Sequence, residues 1–403
     1  MRLVQIDTIR LANHPRAIFV ALHTDDGLVG YGETYDTPEA VESYIHDRGA
    51  ATLLGKDPLA IDKHWDKLHR EPRLMMGKTV EVRALSALDV ALWDLFGKAT
   101  NLPVWQLLGG LTRDKIRVYN TCAGYEYQGE WGEGYHSTAK GSDSQHPYED
   151  LYAFLNHPAE LAKSLISEGY SQMKIWPFDH FAEQNGGTHI SLQDLKKGLE
   201  PFKKIREAVG DQIEIAAELH NLWSLPAAIR ISKALEDYKP VWIEDPIPMD
   251  NPRALASFRE STSIPVCASE TIGTRWGFRE MFELGALDIA MLDVTWTGGI
   301  SEARKIATMA EVYSLPVAPH DCVGPFTLAA NIHLCMNLPN AMVQEVVRAF
   351  MSGWYKDVSV GLPEVINGYI HAPHNPGLGV QLKPEVYKRS DAVVRTTTEK
   401  VIS

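Results

Sequence analysis

An α/β fold, a modified (β/α)8 TIM-type barrel carrying an N-terminal α+β capping domain, is predicted by three observations. Beyond Gly109-Gly110, eight short apolar runs alternate with helical patterns, as parallel strands joined by crossover helices do. Glu218, Glu244 and Glu270 recur 26 residues apart, each directly after such a run, which places carboxylates from successive strand ends on one rim. The first hundred residues instead read as antiparallel strands followed by a long helix. The expected division is a capping domain over 1–115, completed by about 366–403, and a barrel over 116–365.

In the capping domain, the apolar runs 17–22 and 28–31 flank Asp25-Asp26-Gly27, a turn signal. Residues 80–100 carry Ala84, Leu88, Ala91, Leu92 and Leu95 on one stripe and stop near Asn101-Leu102-Pro103. The eight barrel strands are expected at 116–119, 172–175, 213–217, 241–243, 264–268, 288–292, 315–318 and 342–344. Between 124 and 148 the periodicity fails and Gly, Ser, Tyr, Trp and His accumulate. A long loop at a barrel mouth is a lid or an oligomer contact, and Tyr125, Tyr127, Trp131 and Tyr135 are its candidate contact residues. Residues 366–379 have strand and turn character and are expected to return to the N-terminal domain.

The 403 residues are 45% hydrophobic, enough for a barrel core, and carry a net charge of −13. That charge argues against nucleic acid or an anionic membrane surface as a partner. The four cysteines form no CxxC pair and suit a reducing compartment. With no apolar signal core at the N-terminus and no span of bilayer length, a cytoplasmic location is expected.

Three glutamates offer hard oxygen ligands, which favours Mg²⁺, or Mn²⁺, over zinc. Asp293 ends the sixth predicted strand and His320 follows the seventh, so the two are neighbours. A carboxylate on one ring nitrogen raises the basicity of the other, as a general base requires. His220, two residues past Glu218, is a candidate acid on the opposite side of the substrate; a helix-capping loop histidine is the plainer reading. Lys174 at the end of the second strand suits a substrate carboxylate or a developing enolate, and a surface salt bridge is its alternative. Glu345 ends the eighth strand with Arg348 three residues on, and a structural ion pair is the alternative for both.

The pattern of these residues resembles the mandelate racemase branch of the enolase superfamily, over nearly the whole chain. Ala87-Leu88-Asp89 through Trp93-Asp94, and on to Leu107-Leu108-Gly109-Gly110, look like its capping helix and barrel entry. Ile243-Glu244-Asp245-Pro246 and Thr297-Gly298-Gly299-Ile300 look like its fourth- and sixth-strand signatures. Glu218-Leu219-His220 together with His320 look like its acid-sugar dehydratases, galactonate dehydratase being nearest in pattern. Two departures stand out: the family's first metal ligand is aspartate where this chain has Glu218, and its racemases carry a second lysine where this chain has Trp176.

The resemblance implies a Mg²⁺-dependent dehydratase of a sugar acid, with metal on Glu218, Glu244 and Glu270. His320, oriented by Asp293, would take the α-proton, and His220 would protonate the departing β-hydroxyl. Lys174 and Glu345 would hold the carboxylate end. A small-molecule sugar acid is the expected partner, with the chain as a homo-oligomer. The alternatives are a racemase or epimerase on the same scaffold, disfavoured by Trp176, and a non-catalytic metal-binding relative.

Overall fold

In the computed structural model, which describes residues 1–70, 79–125, 127 and 147–399, the first alternating runs become β1 (Leu3–Leu11), β2 (His14–Thr24) and β3 (Val29–Tyr35). They pair antiparallel in that order, and a tail strand, Ala392–Thr398, adds to the outer edge of β1. One face buries Ile6, Ile18, Val20 and Leu22 against Ala84, Leu88 and Leu95 of the helix Val80–Thr100. Asn101 ends that helix in the left-handed conformation, φ 57°, its N–H donating back to Gly97 and Lys98 carbonyls.

The barrel strands are β4 (Lys115–Thr121), β5 (Gln172–Ile175), β6 (Glu214–Glu218), β7 (Trp242–Glu244), β8 (Val266–Ala268), β9 (Ile289–Ala290) and β10 (Gln344–Val346). Each pairs parallel with the next from β4 to β9, and β10 pairs parallel with β4. The run expected as a seventh strand, 315–318, departs from prediction: only Val317 bridges, to Ala290 on one side and Ala341 on the other. Its flanking prolines explain this, because Pro316 and Pro319 have no N–H to give to a ladder. The ring still closes. Val317 donates to the Asn340 carbonyl at 2.9 Å, and Ala318 donates to that of Ala290 at 3.1 Å. Tyr119, Ala216, Trp242, Cys267, Met291, Ala318 and Val343 fill the interior, leaving chemistry to the carboxyl ends of the strands. The strand Tyr369–His371 lies antiparallel on β4, while the end of the expected stretch does return to the N-terminal domain: the Gly377 N–H donates to the Leu102 carbonyl at 3.0 Å and the Leu378 N–H to Asp94 at 2.9 Å. Residues 392–398 also join the cap. Among the described residues no helix is long and apolar enough to cross a membrane.

Carboxyl groups of the cap hold it to the barrel. Glu33 of β3 accepts from the Thr327 N–H at 2.6 Å and hydroxyl at 2.8 Å, at the start of the helix Pro325–Asn337. Asp89 accepts from the Ser301 N–H at 3.0 Å and hydroxyl at 2.6 Å, at the start of the helix Gly299–Val312. Glycines make room for both: a Cβ at Gly324 would lie 2.4 Å from Glu33 Oε2, and one at Gly299, where φ is +82°, would lie 2.3 Å from Asp89 Oδ2. Burial pushes the Asp89 carboxyl up to about 7 and the Glu33 carboxyl up to about 8, against the hydrogen bonds they accept.

The sign of the resulting pH dependence is fixed. An acid with a raised folded pKa keeps in the folded state a proton that the unfolded chain has released, so stability falls as pH rises from about 4 towards 8. The slope is about 1.4 kcal/mol per pH unit for each fully shifted group. Glu33→Gln, which mimics the protonated form, is expected to lose less stability than the parent between pH 5 and pH 8, by on the order of 2 kcal/mol. Urea unfolding at a series of pH values measures this, and parallel curves for the two proteins would contradict it.

Candidate active site

β6 and β7 end in register, Glu218 opposite Glu244. Both side chains are buried and both turn to Lys174 on the neighbouring β5: its Nζ lies 3.3 Å from Glu218 Oε2 and 2.5 Å from Glu244 Oε1. Glu345, the middle residue of the ring's closing strand β10, also meets that ammonium, at 2.9 Å. Glu270 diverges. It lies two residues beyond β8 rather than at its last residue, and its Oε2 stands 2.9 Å from His320 Nε2.

His320 is fixed from both ring nitrogens, with Nδ1 2.7 Å from Asp293 Oδ2. Asp293 in turn accepts from the N–H and hydroxyl of Thr295 at 2.7 and 2.8 Å. The structure thus brings the base and carboxylate proposed from sequence into contact. His220 has a carboxylate partner too, which sequence reasoning missed: its Nδ1 lies 2.6 Å from Asp179 Oδ2, and Asp179 is buried. Both histidines, and not His320 alone, are therefore paired with an aspartate. Asp179 lies beyond Trp176-Pro177-Phe178, outside the strand pattern that exposed the other site residues.

The third and seventh staves of an eight-stave ring lie across the mouth from one another, so the two histidine–aspartate pairs face each other. Trp176 is buried beneath, its ring edge-on to His220 at 5.5 Å. Arg348 takes no part. It binds Asp150 and Glu168 at 2.7 and 2.6 Å as a structural ion pair.

Burial opposes charge throughout this cluster, and the neighbours decide which groups keep it. Burial would lower His320 and His220, but Glu270, Glu345 and Asp293 raise the first well above its ordinary value, and Glu218 and Asp179 raise the second to about 9. Lys174 is likewise raised by Glu244 and Glu345 against burial. Glu218 is held down by His220 and Lys174, while burial and the adjacent Glu218 push Glu244 well above the carboxylate range. Two buried carboxylates sharing one ammonium cannot both ionise freely.

These acids fit a hard cation in chemistry but are not gathered around one point. Among the described residues no three acid, imidazole or thiol side chains form a metal-ready group; Glu218 and Glu244 are engaged by Lys174, and Glu270 by His320. In favour of a cation, Asp245 Oδ1, next to Glu244 in the chain, is buried with no hydrogen-bond partner, and an unmatched buried oxygen of this kind suits Mg²⁺.

The cavity over the site measures about 220 Å³ and is walled on one side by Lys174, His220, Glu270 and His320, on the other by the cap residues Arg16 and Arg83. Tyr127, one of the aromatic residues expected to reach the mouth, also lines it and packs on Trp176 at 5.4 Å. Trp131 and Tyr135 lie outside the described residues.

An antiparallel cap on a (β/α)8 barrel with strand-end acids defines an enolase-type protein, and sequence comparison narrows this. Residues 6–109 match the N-terminal domain of the mandelate racemase/muconate lactonizing enzymes, and residues 157–386 match the enolase C-terminal domain-like family. The chain belongs to the mandelate racemase/muconate lactonizing enzyme family of the enolase superfamily, whose members are enzymes that typically bind Mg²⁺.

An enolase protein from environmental shotgun sequencing of the Sargasso Sea is 43% identical over 99% of each chain, with a TM-score of 0.88. An enolase of the mandelate racemase subgroup from Agrobacterium tumefaciens, solved with a succinimide residue, sodium and phosphate, is 44% identical over 99% of this chain and 100% of its own, with a TM-score of 0.87. A protein from Zymomonas mobilis ZM4, named provisionally as a dehydratase, is 27% identical over 98% of this chain and 99% of its own, with a TM-score of 0.85.

Proposed function

We propose that the chain is a Mg²⁺-dependent dehydratase of a sugar acid. The observation that supports this best is the pair of histidine–aspartate dyads facing one another across a small polar cavity. Glu218, Glu244 and Glu270 would hold the metal, which when bound would polarise the substrate carboxylate and stabilise charge developing there.

His320 Nε2 takes the α-proton once it is free of Glu270, while Asp293 holds Nδ1–H and so fixes the tautomer. Lys174 and Glu345, joined at 2.9 Å, orient the carboxylate end. His220, held by Asp179, gives a proton to the β-hydroxyl. The α C–H and β C–O bonds break, water departs, and the enol tautomerises to a 2-keto-3-deoxy acid. Base and acid on opposite sides make the elimination anti.

The Asp179 pairing favours a second reading, a racemase or epimerase, since a base on each face is what inversion at the α-carbon needs. Incubating the purified protein and Mg²⁺ with a library of acid sugars in deuterated water separates the two. Keto acid carrying solvent deuterium is the expected product. Deuterium entering the α-position of unchanged or inverted acid, with no keto acid from any substrate, would replace the first reading with the second.

A further inference from the structure

The cap presents two guanidinium groups to the cavity. Arg16 of β2 donates through Nε to Asp36 at 2.5 Å, and Arg83, from the helix Val80–Thr100, stands 3.8 Å from the other oxygen of the same carboxylate. Among the described residues Asp36 is the one carboxylate within ion-pair distance of Arg83. Both side chains are spread on rings, Arg16 over Tyr35 at 4.3 Å and Arg83 over Trp296 at 4.1 Å, and those rings stack on each other. Trp296 also meets the His320 ring, tilted by 42° at 5.5 Å. Arg83 donates to the Tyr35 carbonyl at 2.6 Å, and Asp36 is held between the arginines by a left-handed backbone, φ 71°, a conformation that costs energy outside glycine.

We infer that Arg83 and Arg16 form a recognition site for an anionic far end of the substrate, so that the sugar acid taken is a diacid rather than a monoacid. This rests on the acid-sugar reading above and goes further, naming the substrate class. A clamp serving only to fix the cap loop needs one guanidinium for its one carboxylate, and Arg16 already fills that role. Arg83 is the additional charge, and both line the cavity that holds Lys174 and His320. A planar guanidinium pre-oriented on an aromatic face matches a carboxylate through two parallel hydrogen bonds. Arg83 and the base each contact Trp296, a separation that suits the body of a short polyol between the charged end and the α-carbon. The small cavity suits that length rather than a larger ligand.

The test pairs each hexaric acid with the hexonic acid of the same configuration. Thermal-shift titration in Mg²⁺ reads binding, and keto-acid formation reads turnover. The parent is expected to bind at least one hexarate at least about tenfold more tightly than its hexonate, as a charge-assisted bidentate contact gives. Arg83→Gln is expected to bring the pair within about threefold, chiefly through KM, and Arg83→Lys to restore part of the preference. Equal or tighter binding of hexonates by the parent, or a preference unchanged in Arg83→Gln, would overturn the inference. Keto acid from hexonates alone would do the same while leaving the dehydratase reading intact. If neither series yields keto acid, that reading falls, and the hexarate binding preference still decides the role of Arg83.

Discussion

His320→Asn is expected to abolish dehydration and, with it, exchange of the α-proton in deuterated water, each by a factor of at least about 10³. The substitution leaves an amide able to meet Asp293, so the loop geometry is preserved while the titratable nitrogen beside Glu270 is lost. His220→Asn is expected to block loss of the β-hydroxyl by a similar factor yet keep measurable α-proton exchange, because His320, Asp293 and Lys174 remain. Proton NMR of the recovered substrate reads exchange, and a keto-acid assay reads elimination. Since His220 also has an aspartate, the assignment has a definite reverse: exchange surviving in His320→Asn but lost in His220→Asn would make His220 the base and imply the opposite α-configuration. Full dehydration by His220→Asn would show that the acid is another group.

The second large effect concerns the carboxylates. Stripping divalent cations with a chelator is expected to remove activity, and Mg²⁺ at about 100 times its Kd is expected to add roughly 2.7 kcal/mol of stability, several degrees in Tm. Glu244→Gln provides the sharper reading. Its carboxylate is forced upward by burial and by Glu218, so the variant without metal is expected to be at least as stable as the parent. Its Mg²⁺-dependent rise in Tm should nevertheless be largely lost, as should that of Glu270→Gln. Variants that stay folded and keep both the rise and full activity in chelator would remove these residues from the metal site.

What the sequence revealed follows from how each residue is positioned. Glu218 and Glu244 were legible because a polar residue ending an apolar run announces a strand end, and the constant spacing put them on adjacent staves. Asp293 and His320 were readable by the same logic. Glu270, although in phase, lies past its strand, and spacing alone could not say that it would turn to His320. The seventh strand was overestimated, yet Pro316 and Pro319 carried the warning. Asp179 sits on a short helix, Asp179–Asn185, where an acid in the first turn reads as an ordinary helix start. Arg16, Asp36 and Arg83 were invisible for another reason: each belongs to the cap, and they become a wall of the cavity only when the cap docks on the barrel.

That docking also bears on two anion sites that barrels of this kind often offer. Enzymes on (β/α)8 barrels commonly seat phosphate groups at helix amino ends on this face, where free N–H groups and the helix dipole converge. In this protein two such cradles, at Ser301 and Thr327, are taken up by Asp89 and Glu33, with glycines cleared to admit them. The cap is in effect a built-in competitor, its carboxyl groups standing where a phosphoester would otherwise lodge. A phosphorylated sugar would have to displace the cap to use those two positions. An unphosphorylated acid of the kind proposed above would face no such contest.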